Sequence, residues 1–308
     1  MKIRAFIVSI LLTGSHFVIA SDLMDAIVGG QRDLALNMIA EGVDVSELQT
    51  DGTSALMYAA YLGDAEMAAT LIKAGADPSL ANSYGTSAIL EATIVGANGV
   101  LEILLENGAD ANWSNPEGET PLMNVARAGN VKGAVLLLNH GADLHATELW
   151  GGQSALHWAA AQSQPAMLKL LIENGADTNL QSIIRYWDRT TLNEPRPKHL
   201  NKGGLTPLHF AAREGCNDCI KVLADASADL NAHDPERVTP LNTALINSHF
   251  NTAATLIEAG ADVNKWDIYG RSPLFNAIDL NTVPITGRAD IPSLDLVTGY
   301  DIAGMLLD

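Results

Sequence analysis

The sequence predicts an all-α solenoid of about eight helix–turn–helix units joined by projecting, hairpin-like fingers. Three observations lead there. The tripeptide Gly-Ala-Asp recurs at Gly75-Ala76-Asp77, Gly108-Ala109-Asp110, Gly141-Ala142-Asp143, Gly175-Ala176-Asp177 and Gly260-Ala261-Asp262, with relaxed copies at Gly42-Val43-Asp44 and Ser227-Ala228-Asp229. The step is 33 residues from Asp44 to Asp77, Asp77 to Asp110, Asp110 to Asp143 and Asp229 to Asp262. A fixed period of that size marks a stack of small units, each burying its apolar face against its neighbours. A helix-start motif recurs in phase with it. Finally, 47% of residues are hydrophobic but only 5% aromatic, so Ala, Leu and Ile carry the packing, as thin layers of short helices require.

The first twenty residues stand outside the repeats. Lys2 and Arg4 precede an apolar run from Ala5 to Leu12, and Val18-Ile19-Ala20 suits a signal peptidase, which reads as a secretory signal peptide cleaved after Ala20. The run is too short for a span of about 20 residues, although an uncleaved N-terminal anchor is the alternative. The remainder is expected in a bacterial periplasm or outside the cell. Loss of Lys2 and Arg4 moves the net charge from −18 to about −20. Such a chain repels nucleic acid and anionic headgroups and favours cationic or neutral partners. Acidity for solubility alone is the competing explanation.

A first repeat is expected over 22–50, with Leu23 in the Leu position of the helix-start motif. Six fuller repeats start at about 51, 84, 117, 150, 203 and 236, and an eighth near 269. First helices begin at Ser54-Ala55-Leu56-Met57, Ser87-Ala88-Ile89-Leu90, Thr120-Pro121-Leu122-Met123, Ser154-Ala155-Leu156-His157, Thr206-Pro207-Leu208-His209, Thr239-Pro240-Leu241-Asn242 and Ser272-Pro273-Leu274-Phe275. The hydroxyl accepts from free N–H groups of the first turn, and Pro at the first helical position has no N–H to lose. Gly63, Gly96, Gly129 and Gly215 stop these helices. Second helices carry Leu71-Ile72, Leu104-Leu105, Leu137-Leu138, Leu171-Ile172 and Leu256-Ile257, and the triad Gly caps them. The triad aspartates recur with the fold and so read as turn-stabilising groups. Short polar segments with Asn or Gly then form the fingers.

The Thr-Pro-Leu-His, Ala-Ala-x-x-Gly and Gly-Ala-Asp elements, together and in phase over residues 22–308, resemble the ankyrin repeat. The resemblance implies a domain over 21–308 that binds proteins on a concave face of fingers and first helices. It also implies that the rings of His157 and His209 hydrogen-bond neighbouring backbone, and that the two positions before the interhelix Gly make contacts. Those positions are Tyr61 and Leu62, Ile94 and Val95, Arg127 and Ala128, and Arg213 and Glu214. The strip is apolar in its early repeats and more charged later.

Two insertions break the period. Asp177 to Asp229 is 52 residues, which places 19 extra residues at about 183–202, in a finger. They include Arg185, Arg189, Pro195, Arg196, Pro197, Lys198 and Lys202, with Tyr186 and Trp187: a partner-gripping loop, or a surface insertion whose arginines pair with the protein's own carboxylates. In the last repeat 17 residues enter between the helices at about 281–297. The chain stops at Asp308, where a further triad is due, leaving Ile302, Met305 and Leu306 half covered. That reads as a fragment with more repeats or another domain downstream. A dimer through the open end is the competing reading; otherwise the chain is expected to be monomeric.

No nucleophile elbow, phosphate loop or His-Glu-x-x-His stretch occurs, so no enzyme, metal or cofactor is expected. Cys216 and Cys219 stand at the interhelix turn and at an inward helical position, between Glu214 and Asp218. A packed structural pair and a structural disulfide are both open, and catalysis is disfavoured because the flanking charge is negative. Trp113, Trp150, Trp187 and Trp266 fall in fingers, as do Tyr84 and Tyr269, while Trp158 lies in a first helix. Exposed aromatics are what binding hot spots use; alternatively each packs along the neighbouring finger. The expected function is a non-catalytic protein-interaction scaffold whose contact residues are Tyr61, Tyr84, Trp113, Arg127, Trp150, Trp158, Arg185, Trp187, Arg213, Trp266 and Tyr269. The alternatives are a targeting module for an effector domain beyond residue 308 and a binder of a small or glycan ligand.

Overall fold

A computed structural model describes residues 23–185, 203–282 and 295–307. Within them sixteen helices run in pairs: α1 (Leu23–Val28) and α2 (Arg32–Ala40), α3 (Ala55–Tyr61) and α4 (Ala65–Lys73), α5 (Ala88–Ile94) and α6 (Asn98–Glu106), α7 (Pro121–Ala128) and α8 (Val131–Asn139). Then follow α9 (Ala155–Ala161) and α10 (Pro165–Glu173), α11 (Pro207–Glu214) and α12 (Asn217–Asp225), α13 (Pro240–Ile246) and α14 (Phe250–Glu258), and α15 (Pro273–Thr282) and α16 (Gly299–Leu307). These are the eight repeats the period predicts. Odd-numbered helices pack in succession as one row and even-numbered helices as a second.

The hydroxyls open the first helices as expected. The side chains of Ser54, Thr120 and Thr239 each accept from the backbone N–H three residues on at 3.3 Å. The apolar stripes then meet between the rows, where Leu56, Leu71, Ile89, Leu104, Leu122, Leu137, Leu156 and Leu171 are fully buried. Each such side chain contributes about 1.5–3 kcal/mol when removed from water. No repeat encloses this core alone, because its two helices are walls of a layer that the next repeat closes.

Between repeats the triad carboxylates set the chain direction. Asp44, Asp77, Asp110, Asp143, Asp177, Asp229 and Asp262 each accept, through Oδ1, the N–H two residues on, at 2.8–2.9 Å. Hydrogen bonds from the hydroxyl and N–H of Ser46 and Ser79 hold Asp44 and Asp77 below the usual carboxylate range. At three of the four triads where the second residue on is Asn, it also reaches the following repeat: Oδ1 of Asn112, Asn179 and Asn231 accepts from the N–H of Asp143, Asp229 and Asp262 at 2.7–2.8 Å.

The fingers stack too. The N–H groups of Ser83, Leu149 and Ile268 donate to the carbonyls of Asp51, Glu117 and Glu236 in the preceding finger at 2.8, 2.8 and 3.0 Å. Isolated antiparallel bridges join Leu48 with Ser54 and Ala81 with Ser87, and no strand longer than a single bridge forms among the described residues, so their class is all-α.

Described residues flank both expected insertions. Ser182 N–H donates to the Leu205 carbonyl at 2.9 Å, and Gly204 N–H to the Ser182 carbonyl at 3.0 Å, pinching the finger shut while α9 still packs on α11. Residues 186–202, with Tyr186, Trp187, Arg189, Arg196, Lys198 and Lys202, lie outside the described residues, as do 1–22 and 283–294. The second insertion returns onto α14, where Asn251 N–H donates to Asp295 Oδ2 at 2.9 Å and Val297 N–H to Asn251 Oδ1 at 3.1 Å. One expectation is corrected here. Met305 and Leu306 are half covered, but Ile302 is fully buried, because α16 closes over both α14 and α15.

The interhelix turn requires a left-handed residue. Gly63, Gly96, Gly129 and Gly215 supply it at φ +67° to +73°, whereas the fifth repeat places Ser163 there at φ +54°. A non-glycine residue is strained in that region, by about 1–2 kcal/mol before the entropy glycine loses is subtracted. Ser163→Gly is therefore expected to raise stability by about 0.5–1 kcal/mol, read as an increase in the urea midpoint with an unchanged m-value.

Candidate functional site

First helices and fingers enclose a groove. Its helical wall is built from two register positions. Four residues after the helix-start hydroxyl stand Tyr58, Glu91, Asn124, Trp158, Phe210 and Thr243; seven after it stand Tyr61, Ile94, Arg127, Ala161, Arg213 and Ile246. One helical turn separates the two sets, so both face the same way. The seven-position residue of one repeat lies beside the four-position residue of the next: the Arg127 guanidinium sits 5.1 Å from the Trp158 ring centroid. Arg213 stacks at 4.8 Å on Phe210 of its own helix and pairs with Glu214 at 2.9 Å.

The candidate contact residues divide by exposure. Tyr61, Tyr84, Trp150, Trp266 and Tyr269 are exposed, from 54% to 72%. Leu62, Ile94 and Val95 are exposed beside Tyr61. Trp113 is half-buried, and its Nε1–H donates to the Gly85 carbonyl at 3.3 Å, so it braces one finger against the preceding one. Trp158 is likewise half-buried beneath Arg127.

Arg185, at the root of the finger insertion, pairs with no carboxylate of the described chain. Its guanidinium lies 5.3 Å from the Trp150 ring centroid, and its Nε donates to the Trp150 carbonyl at 2.9 Å. This joins two candidates that are 35 residues apart in sequence. Trp187 lies outside the described residues.

Sequence reasoning missed Arg271, which stacks at 5.0 Å on Tyr269 and pairs with buried Asp267 at 2.6 Å. It also missed Tyr58 and Glu91. With Thr53, Met57, Tyr61, Asn82 and Thr86 these line a pocket of about 220 Å³ between two fingers and the helices α3 and α5. The available signal was Glu91 itself, the sole charged residue in a column of aromatic, amide and hydroxyl residues. Burial holds its carboxyl above the usual range.

The polar core is structural. His157 Nδ1 accepts from Ser154 N–H at 3.2 Å, while Nε2 lies 3.2 Å from the Leu205 carbonyl across the insertion. His209 repeats this with Thr206 N–H and the Val238 carbonyl, at 3.2 and 3.1 Å. A ring that accepts at Nδ1 and donates at Nε2 is neutral. Cys216 caps α12 and is disulfide-bonded to Cys219, which is fully buried. Among the described residues no group of three or more His, Cys, Asp and Glu is placed to hold a metal ion.

The comparisons agree with this geometry. A family model described as "Ankyrin repeats (3 copies)" matches residues 23–112, 93–182 and 189–267. The chain is 29% identical to the human B-cell lymphoma 3 protein over 136 residues, 42% of this chain and 26% of that one. It is 31% identical to the Xenopus laevis neurogenic locus notch homolog protein 1 over 133 residues, 43% of this chain and 4% of that one. It thus spans about a quarter or less of these curated relatives. Among solved structures, the human ASB11 ankyrin repeat domain aligns with a TM-score of 0.63 at 24% identity, over 83% of this chain and 97% of that one. The ankyrin repeat domain of Bcl-3 aligns with a TM-score of 0.63 at 20% identity, over 84% of this chain and 100% of that one.

Burial lowers the pKa of His157 and of His209 to about 4, because protonation would place a charge in the core and a proton where Nδ1 accepts. Below pH 6.5 the unfolded chain takes up protons that the folded one refuses. Stability is therefore complete above pH 6.5 and falls toward pH 4, by about 1.4 kcal/mol per pH unit for each histidine. Asn, which the chain itself uses at this position as Asn242, removes the titration. Urea melts of a His157→Asn, His209→Asn variant are expected to lose that slope between pH 6 and about 4.5.

Proposed function

Because the chain belongs to the ankyrin-repeat family, we infer that it is a non-catalytic scaffold binding a protein partner along the groove of fingers and first helices. Repeats of this family are protein-interaction modules. One observation carries the finer reading: large apolar side chains stand exposed on groove and finger positions, Tyr61, Leu62 and Ile94 in the early repeats and Trp150, Trp266 and Tyr269 later. A stack whose core leucines are already fully buried gains nothing from such exposed residues in water. Rigid aromatics on a stiff support are what a partner can bury at small entropic cost. Arg185, stacked on Trp150, supports a role for the root of the finger insertion in specificity.

We further propose that the protein works in an oxidising compartment after loss of residues 1–20. The Cys216–Cys219 disulfide supports this, since thiols in reducing cytosol stay reduced. In a bacterium that compartment is the periplasm or the exterior.

Two measurements test these readings. Tagged full-length chain and a Tyr84→Ala, Trp150→Ala, Trp266→Ala variant are compared by affinity capture and quantitative mass spectrometry at equal thermal stability. Each hot spot is worth about 2 kcal/mol or more, so the variant is expected to lose the enriched protein by over tenfold; undiminished capture removes these residues from the interface. N-terminal sequencing of chain secreted by its native host is expected to begin at Ser21, and retention of Met1 on exported material would refute the cleavage.

A further inference from the structure

Among the groove positions of the second and third repeats, one side chain lacks the complement its surroundings call for. Glu91 stands half-buried in the wall of the 220 Å³ pocket, and no hydrogen bond or ion pair to its carboxylate is found among the described residues. Of its polar neighbours, Asn82 is already engaged: its Nδ2 donates to Thr53 Oγ1 at 3.1 Å, and its Oδ1 accepts from the N–H of Tyr84 and of Thr86. Nor do the second and third repeats, all of whose residues are described, hold a cation on a first-row helix or a finger. Between residues 51 and 100 the sole Lys or Arg is Lys73, in the last turn of α4, a second-row helix. Removing a carboxylate from water without a partner is unfavourable, and here it is done beside the rings of Tyr58 and Tyr61.

Elsewhere the chain completes similar surroundings itself. Arg127 covers Trp158 and Arg213 covers Phe210, a guanidinium over an aromatic face at 5.1 and 4.8 Å. At the second and third repeats the places of Arg127 and Trp158 are taken by Tyr61 and Glu91, so ring and carboxylate are both present and the cation is not. A cation there would meet an anion and the electron-rich faces of tyrosines in one pocket. The volume suits a side chain and not a single water, whose share of liquid is about 30 Å³. Leu62, next to Tyr61 in sequence, and Ile94, one helical turn after Glu91, are exposed and would receive apolar neighbours of the inserted residue.

We propose that the pocket of Tyr58, Tyr61 and Glu91 is a recognition site for one basic side chain, lysine or arginine, presented by a polypeptide partner with apolar flanking residues. The proposal rests on the protein-binding reading above and specifies the chemistry of part of the partner. It fits a chain with a net charge of −18.

The test uses full-length protein carrying 13C-methyl methionine. Met57 lines the pocket, while Met123 and Met167 are buried in other repeats and report on the fold. The probes are acetyl-Leu-Lys-Leu-amide, acetyl-Leu-Arg-Leu-amide, the same peptide with norleucine at the centre, and butylammonium chloride. Saturable shifts of Met57 with the two basic peptides are expected, at least tenfold tighter than with the norleucine peptide and tighter than with butylammonium. Glu91→Gln is expected to weaken the basic peptides at least tenfold with Met123 and Met167 unmoved. Equal binding of the norleucine peptide, or full affinity in Glu91→Gln, overturns the site. Butylammonium binding as tightly as the lysine peptide overturns the polypeptide source. If the site fails while the finger-aromatic variant still loses its captured partner, the pocket alone is wrong and the scaffold stands.

Discussion

The structure depends on burial between nearest neighbours. A pair of helices six to ten residues long has too little interior to hide its own leucines, so each repeat is stable only as a layer against the next. That constraint makes register the quantity to protect. The triad carboxylates do so locally by closing the turn after each second helix, and Asn112, Asn179 and Asn231 do so across repeats by accepting the N–H of the following aspartate. These bonds are exposed and individually modest, about 0.5–1.5 kcal/mol each. Their effect is to fix the direction in which the much larger apolar term accumulates.

A stiff stack also explains why the groove can carry unfavourable groups. Exposed tyrosines and tryptophans, and a half-buried carboxylate without a counter-ion, cost stability at the positions they occupy. They are tolerated because the helices beneath them are held from both sides. In a protein with one central core such groups would have to be weighed against the whole; here each is charged only to its own layer and the two beside it. The histidine caps follow the same logic, since each ties the start of one first helix to the strand-like segment entering the next.

Much of this was legible in the sequence because the same physical solution is written repeatedly. Seven aspartates at one register position, each followed by a residue whose N–H they accept, declare a turn more firmly than any single motif could. The helix-start hydroxyls and the interhelix glycines were readable for the same reason. What was not legible depends on direction. Trp113 stands three residues after its triad aspartate and Trp150 seven after its own; one indole lies back along the preceding finger and the other stands in solvent, and neither direction is written in the repeat pattern. Ile302 was expected half covered because α16's packing against α14 could not be read across an insertion. Glu91 escaped notice because the groove was searched for aromatics, and a lone carboxylate in an acidic chain looks like ordinary surface.

The pinch between Ser182 and Leu205 has a consequence for how the molecule can change over generations. With Ser182 tied to Gly204 and Leu205, the packing of α9 on α11 does not depend on the length or content of the sequence between those anchors. Lengthening such a loop is inexpensive, about 0.6 kcal/mol per doubling. A lineage could therefore rewrite that passage wholesale, acquiring new preferences, while inheriting an unaltered frame.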